Sequence, residues 1–155
     1  MEQYFAGNAQ TRHLGTWYRA LPLLALLLLV ATTAEGAAPV DWHWANPSPQ
    51  GNDLWAVAYN GSDTYVAIGD AGTILTSQDG QDWTLQHHSR DYGLLDVVWG
   101  DGQFVASGNR GTLLTSPDGI HWTARNAGSP WYLRGVTAAP GLYVVAGEFR
   151  TILTS

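Results

Sequence analysis

A gapless internal repeat constrains this chain more than any other feature. "YVAIGDAGTILTSQDGQDW" at 65–83 aligns with "FVASGNRGTLLTSPDGIHW" at 104–122, at an offset of 39 and with 11 of 19 positions identical. A third copy, "YVVAGEFRTILTS" at 143–155, lies another 39 residues on and matches the first at 8 of 13 positions. Gly69, Gly108 and Gly147 are equivalent, as are Ser77, Ser116 and Ser155, and Trp44, Trp83 and Trp122 keep the same spacing. A fixed period of this length marks one supersecondary unit stacked upon the next, so that neighbours bury each other's apolar faces.

Each unit reads as four short strands. Strand A is "LWAVAY" (54–59), "LLDVVW" (94–99) and "LRGVTA" (133–138); strand B is "YVAIG", "FVASG" and "YVVAG". Strand C is "TILTS" or "TLLTS", and strand D is a short piece around Trp83 or Trp122. The runs are apolar and β-branched, and Gly, Asp, Asn and Pro bound them. They alternate poorly, as strands covered on both faces do. The 18 Gly, eight Trp and seven Tyr fit a turn-rich, aromatic-anchored all-β chain. The prediction is an all-β, β-propeller-type repeat of about three four-stranded blades of 39 residues. It fills 39–155, with units at about 45–83, 84–122 and 123–155.

Counting strands gives one around Trp44, two full ABCD sets, then A, B and C. The Trp44 strand would supply the last D position, but three blades are too few to close a ring. Two explanations are open. The chain is a truncated piece of a longer propeller, and Arg150, standing where Gly72 and Gly111 stand in earlier copies, fits a degenerate last repeat. Alternatively, two chains form a homodimer that completes a six-bladed ring, each lending its Trp44 strand to the other.

The most specific local chemistry lies in "SQDGQDW" and "SPDGIHW". Asp-Gly between two strands is a hairpin turn, because Gly accepts positive φ. The Ser and Asp side chains can bond the turn's own N–H groups, and Trp can cover it. Ser77, Asp79, Gly80 and Trp83, with Ser116, Asp118, Gly119 and Trp122, resemble the Asp-box of sialidase-type β-propellers. They are more similar still to the repeats of photosystem II stability/assembly factor-like proteins. The usual Asp-box has one more residue between Asp and Gly, so both copies are the shortened form. The resemblance covers about 40–155 and implies a structural role for these eight residues, on the face away from the ligand site. It also implies a scaffold or assembly role.

Residues 1–38 read as a secretory signal peptide and short linker. Arg12 and Arg19 precede a Leu-rich core, and small residues offer cleavage after Ala34 or Ala38. The apolar run ends at Glu35, too short for a span of roughly 20 residues. The mature protein is therefore expected to be secreted or periplasmic, with an uncleaved membrane anchor as the alternative. The net charge of −6 argues against a nucleic-acid partner. With no Cys there is no disulfide, thiolate metal site or thiol nucleophile.

Propeller D–A and B–C connections share one face, and here they carry the candidate binding residues Arg90, Asp91, Tyr92, Arg110, Trp131, Tyr132 and Glu148. Aromatic and Arg side chains are common interface anchors. His87 and His88 read as loop residues, because neighbours in an extended segment point apart. No metal, no cofactor and no catalytic residue is assigned. Asn60-Gly61-Ser62 fits a glycosylation acceptor. The expected function is a non-catalytic binding or assembly scaffold whose partner is a protein, with a glycan as second candidate. The alternative is a sialidase-like glycoside hydrolase fragment without a complete active site. The Arg residues of 39–155 (90, 110, 125, 134 and 150) do not recur at a common repeat position, as a carboxylate clamp built on the repeats would require.

Overall fold

The computed structural model describes Trp42, Ala45 and residues 51–155. The chain divides between Trp42 and His43, and every element below belongs to His43–Ser155. The expected leader at 1–38 (Trp42 lies beyond it) and the expected strand position at Trp44 fall outside the described residues.

Among the described residues, eleven strands form three antiparallel sheets. The first holds β1 (Leu54–Tyr59), β2 (Tyr65–Gly69), β3 (Ile74–Ser77) and β4 (Thr84–His87). The second holds β5 (Leu94–Gly100), β6 (Gln103–Gly108), β7 (Leu113–Ser116) and β8 (Thr123–Ala124). The third holds β9 (Leu133–Ala139), β10 (Leu142–Gly147) and β11 (Ile152–Thr154). In each sheet the strands lie side by side in chain order, as short turns between antiparallel strands dictate.

The sheets stack through two apolar layers. Ala56, Ala58, Val66, Ile68 and Ile74 of the first sheet meet Val97, Phe104, Ala106 and Leu114 of the second. Val98, Val105 and Leu113 of the second meet Val136, Val145 and Leu153 of the third. Each sheet therefore has a leading face, toward the sheet before it, and a trailing face, toward the sheet after it. The layers use the same repeat positions twice, which is why a 39-residue period suffices to encode them. Phe104, Ile68, Ile74 and Leu133 are fully buried, each contributing about 1.5–3 kcal/mol over the exposed state.

The two Asp-Gly hairpins have one hydrogen-bond set. The Ser77 hydroxyl donates to Asp79 Oδ1 (3.0 Å) and accepts from the Gly80 N–H (2.9 Å). Asp79 Oδ1 also accepts from the N–H groups of Gln81 and Asp82 at 2.8 and 2.9 Å. Ser116, Asp118 and Gly119 repeat this, with Ile120 and His121 as the later donors, both at 2.8 Å. Gly80 and Gly119 take φ of 74° and 77°, the left-handed region that the turn requires.

The tryptophans differ from the expectation. Strands β4 and β8 begin at Thr84 and Thr123, so Trp83 and Trp122 close their turns instead of lying within strand D. Each indole N–H folds back to the carbonyl of Gly80 or Gly119, at 3.3 and 2.8 Å. Each ring then packs on the aromatic that opens strand B, Tyr65 at 6.5 Å and Phe104 at 6.4 Å between centroids.

Candidate functional site

One end of every sheet is shaped by a bulge in strand A. Pairing slips between Leu54 and Ala56, between Leu94 and Asp96, and opposite Ala146 and Gly147, which pair with Gly135 and Leu133. The extra residues are Trp55, Leu95 and Arg134. Such an insertion bends the strand and re-aims a side chain. Opposite it stands the repeated glycine. A Cβ on Gly69, Gly108 or Gly147 would come within 2.0, 2.2 or 2.4 Å of the carbonyl oxygen of Asp53, Gly93 or Tyr132. That close approach lets the same three carbonyls accept from Asp70, Asn109 and Glu148 at 2.9, 3.1 and 2.9 Å.

The bulge thereby brings strand A beside the first residue of the B–C turn. The Trp55 indole N–H donates to Asp70 Oδ1 at 2.8 Å. At the equivalent positions of the third sheet, Arg134 and Glu148 form an ion pair, and the guanidinium lies 5.4 Å from the Tyr132 ring centroid. In the second sheet Asn109 Oδ1 instead accepts from the Gly93 N–H at 3.0 Å.

The next residue of the B–C turn is left-handed in all three copies: Ala71, Arg110 and Phe149 have φ of 52°, 54° and 52°. Phe149 is 71% exposed and packs on Trp131, centroid to centroid 4.2 Å. Trp131 and Tyr132 are themselves exposed. The Gly111 N–H donates to the Trp131 carbonyl at 2.8 Å, tying the D–A loop of the second sheet to its B–C turn.

The seven candidate residues fall into two groups. Arg110, Trp131, Tyr132 and Glu148 gather where the second and third sheets meet, with Arg134 and Phe149 added to them by the geometry. Arg90, Asp91 and Tyr92 lie on the preceding D–A loop, which is tied to its own turn by the Ser89 N–H bonding the Ala71 carbonyl at 2.7 Å. Arg90 and Asp91 are exposed, but Tyr92 is half buried against the first apolar layer. Burial pushes the Tyr92 hydroxyl up in pKa, and the nearby Asp91 charge adds to this while Ser89 opposes it. Its hydroxyl meets His87 Nε2 at 2.8 Å, so Tyr92 braces the loop from beneath.

Phe149, Arg134 and Trp55 were not marked by the sequence reading. The repeat alignment held a cue to Phe149: Ala, Arg and Phe alternate at one turn position inside an otherwise matched stretch. Arg134 and Trp55 gain their place only through the bulge, whose extra residue shifts register invisibly in the sequence.

Among the described residues, no group of three or more His, Asp and Glu could hold a metal, and no helix is long and apolar enough to cross a membrane. A groove of about 540 Å³ between the second and third sheets is lined by Val105, Leu113, Arg125, Tyr143, Leu153 and Ser155, among others. It includes none of the seven candidate residues. Asn60 is engaged in its turn, its Oδ1 accepting from the N–H groups of Ser62, Asp63 and Thr64 at 3.0 Å.

No protein-family model and no curated protein matches the chain. A solved β-propeller structure, "YCF48 bound to D1 peptide", is similar to it with a TM-score of 0.60 and 19% identity. The match covers 68% of this chain and 38% of that one, so the chain corresponds to well under half of its neighbour's length. At that identity the likeness is one of fold. The three sheets of four, four and three strands are propeller blades, and the described residues form a partial propeller.

Proposed function

We propose that this chain is a non-catalytic protein-binding scaffold, exported through its Leu-rich leader, that holds its partner on the loop face of the third sheet. The carrying observation is the exposed Trp131–Phe149 stack beside the Tyr132–Arg134–Glu148 cluster. Rigid aromatic rings flanked by an Arg are the side chains that dominate binding energy in protein interfaces. Here they sit on turns fixed by bulges and main-chain bonds, so little ordering cost remains on binding. The neighbouring propeller, a photosystem II assembly factor, is one bound to a peptide, and its example favours an extended peptide segment over a glycan. The Asp-box reading of the two hairpins fits a purely structural use of Ser77, Asp79, Ser116 and Asp118, each of which is spent within its own turn.

The test is comparative capture from the native envelope by the unaltered chain and by a Trp131→Ala/Phe149→Ala variant. Loss of about 2 kcal/mol or more is the expected cost of removing such anchors, enough to abolish recovery of a moderate-affinity partner. An identical captured set from both would show that this surface is not the binding site. Turnover of fluorogenic sialosides or related glycosides would overturn the non-catalytic assignment.

A further inference from the structure

The first sheet differs from the others in its A–B turn, which has five residues (60–64) where the second and third have two. The longer turn is tied together by its own side chains. Asn60 Oδ1 accepts from the N–H groups of Ser62, Asp63 and Thr64, each at 3.0 Å, and Asn60 Nδ2 donates to Asp63 Oδ1 at 2.9 Å. The hydroxyls of Ser62 and Thr64 donate to the same carboxylate oxygen at 3.2 and 2.9 Å. The Asn60 amide is thus held at both of its polar atoms. Asn60 is also the one Asn in the chain that Gly follows. Gly61 is exposed, with φ of 82°, and no heavy atom would lie within 4 Å of a Cβ there. A glycine nitrogen, with no side chain beside it, is the least hindered nucleophile that a backbone offers to the preceding side chain.

We propose that Asn60 is a deamidation site, silent while Asp63 holds its amide and reactive when the turn lets go. In the reaction the Gly61 nitrogen, losing its proton, bonds to the Asn60 side-chain carbonyl carbon. Nδ2 leaves as ammonia, and a succinimide ring results. Water then adds to one of the two imide carbonyls and breaks its bond to the nitrogen, giving aspartate or isoaspartate at residue 60. The net change converts one amide and one water into one carboxylate and one ammonium, with no oxidant or reductant. Ring closure swings the side-chain carbon onto the Gly61 nitrogen, and so strips Oδ1 from its three donors and Nδ2 from Asp63. Those bonds oppose the reaction, and local opening of an exposed turn releases them without global unfolding. The Asp63 carboxyl is held below its usual range, first by the Asn60 amide and then by the Thr64 and Ser62 hydroxyls, so the clasp on Nδ2 is a charged one at neutral pH. The product does not restore it. A carboxylate at residue 60 has no proton to offer Asp63 and repels it, so each conversion leaves the turn looser for good. The site stands at the opposite end of the strands from the B–C turns and is independent of the loop surface assigned to partner binding.

Peptide mapping by mass spectrometry follows residue 60 of the full chain at neutral pH, in buffer and in urea. The unaltered chain is expected to convert slowly in buffer and much faster in urea. Asp63→Ala, at an exposed position and hence compatible with folding, is expected to speed conversion in buffer about tenfold, the factor that loss of one charged hydrogen bond allows. In urea it is expected to match the unaltered chain. Asp63→Asn keeps an acceptor for Nδ2 and is expected to fall between the two in buffer. Equal rates in buffer and in urea for the unaltered chain would overturn the proposal, and that comparison needs no variant. So would an Asp63→Ala chain that converts no faster in buffer. An acceleration of the same size in urea would also overturn it, because Asp63 would then act through the local sequence and not through the folded turn.

Discussion

Arg150 has φ of 63°, at the repeat position where Gly72 and Gly111 have 58° and 69°. The two glycines are required by what lies over them: a Cβ on Gly111 would stand 1.7 Å from the Ser129 carbonyl oxygen, and one on Gly72 2.9 Å from the Tyr92 ring. In both cases the obstacle is the D–A loop of the same sheet. Gly111→Ala is expected to cost at least about 2 kcal/mol. Arg150→Gly is expected to gain about 0.5–1 kcal/mol, as relief of left-handed strain exceeds the entropy that glycine adds to the unfolded chain. Urea unfolding of the two variants measures both. The turn carboxylates make a second prediction. Partial desolvation raises the pKa of Asp118, but the His121 side chain, the N–H groups of His121 and Ile120, and the Ser116 hydroxyl together hold it well below the usual range. Asp79 is lowered chiefly by the N–H groups of Asp82 and Gln81. Both folded pKa values lie below the unfolded one near 3.8. Their contribution is therefore present above about pH 4 and is lost as pH falls toward the folded values. Asp118→Asn is expected to flatten the fall in melting temperature between pH 4 and pH 2 relative to the unaltered chain.

Among the strands and turns, Asp96 couples the second sheet to the third. Its Oδ1 accepts from its neighbour Val97 (2.9 Å), and its Oδ2 accepts from the Val136 N–H of β9 (2.8 Å). Asp101 Oδ2 accepts from the Gly141 N–H at 2.7 Å, and the Tyr143 hydroxyl donates to the Gly100 carbonyl. Asp96→Ala leaves the Val136 N–H short of its acceptor, at a cost of about 2 kcal/mol. Hydrogen exchange is expected to show the loss concentrated in β9–β11, with β1–β4 protected as before. Strands A, B and C were readable because Gly-bounded apolar runs repeat at fixed spacing, and observed and expected bounds agree to within about one residue. The D strands were less readable: they are short, and the tryptophan that marks them belongs to the turn. The repeat alone could not reveal Asp96, because Ala56 and Gly135 occupy its position elsewhere. Asp101 takes φ of 43° in its turn, and its bond to the next sheet spans 40 residues and left no local trace.

At the scale of the assembled array, stability is a sum of sheets and the layers between them, and the second sheet takes part in both apolar layers, one on each of its faces. Since the backbone at Ala71, Arg110 and Phe149 bends the same way whatever side chain it bears, the three positions act as identical sockets fitted with different heads. Under the proposed binding role, exchanging a head would change what that blade grips without re-engineering the blade, so partner choice would drift one socket at a time while the scaffold stays as it is.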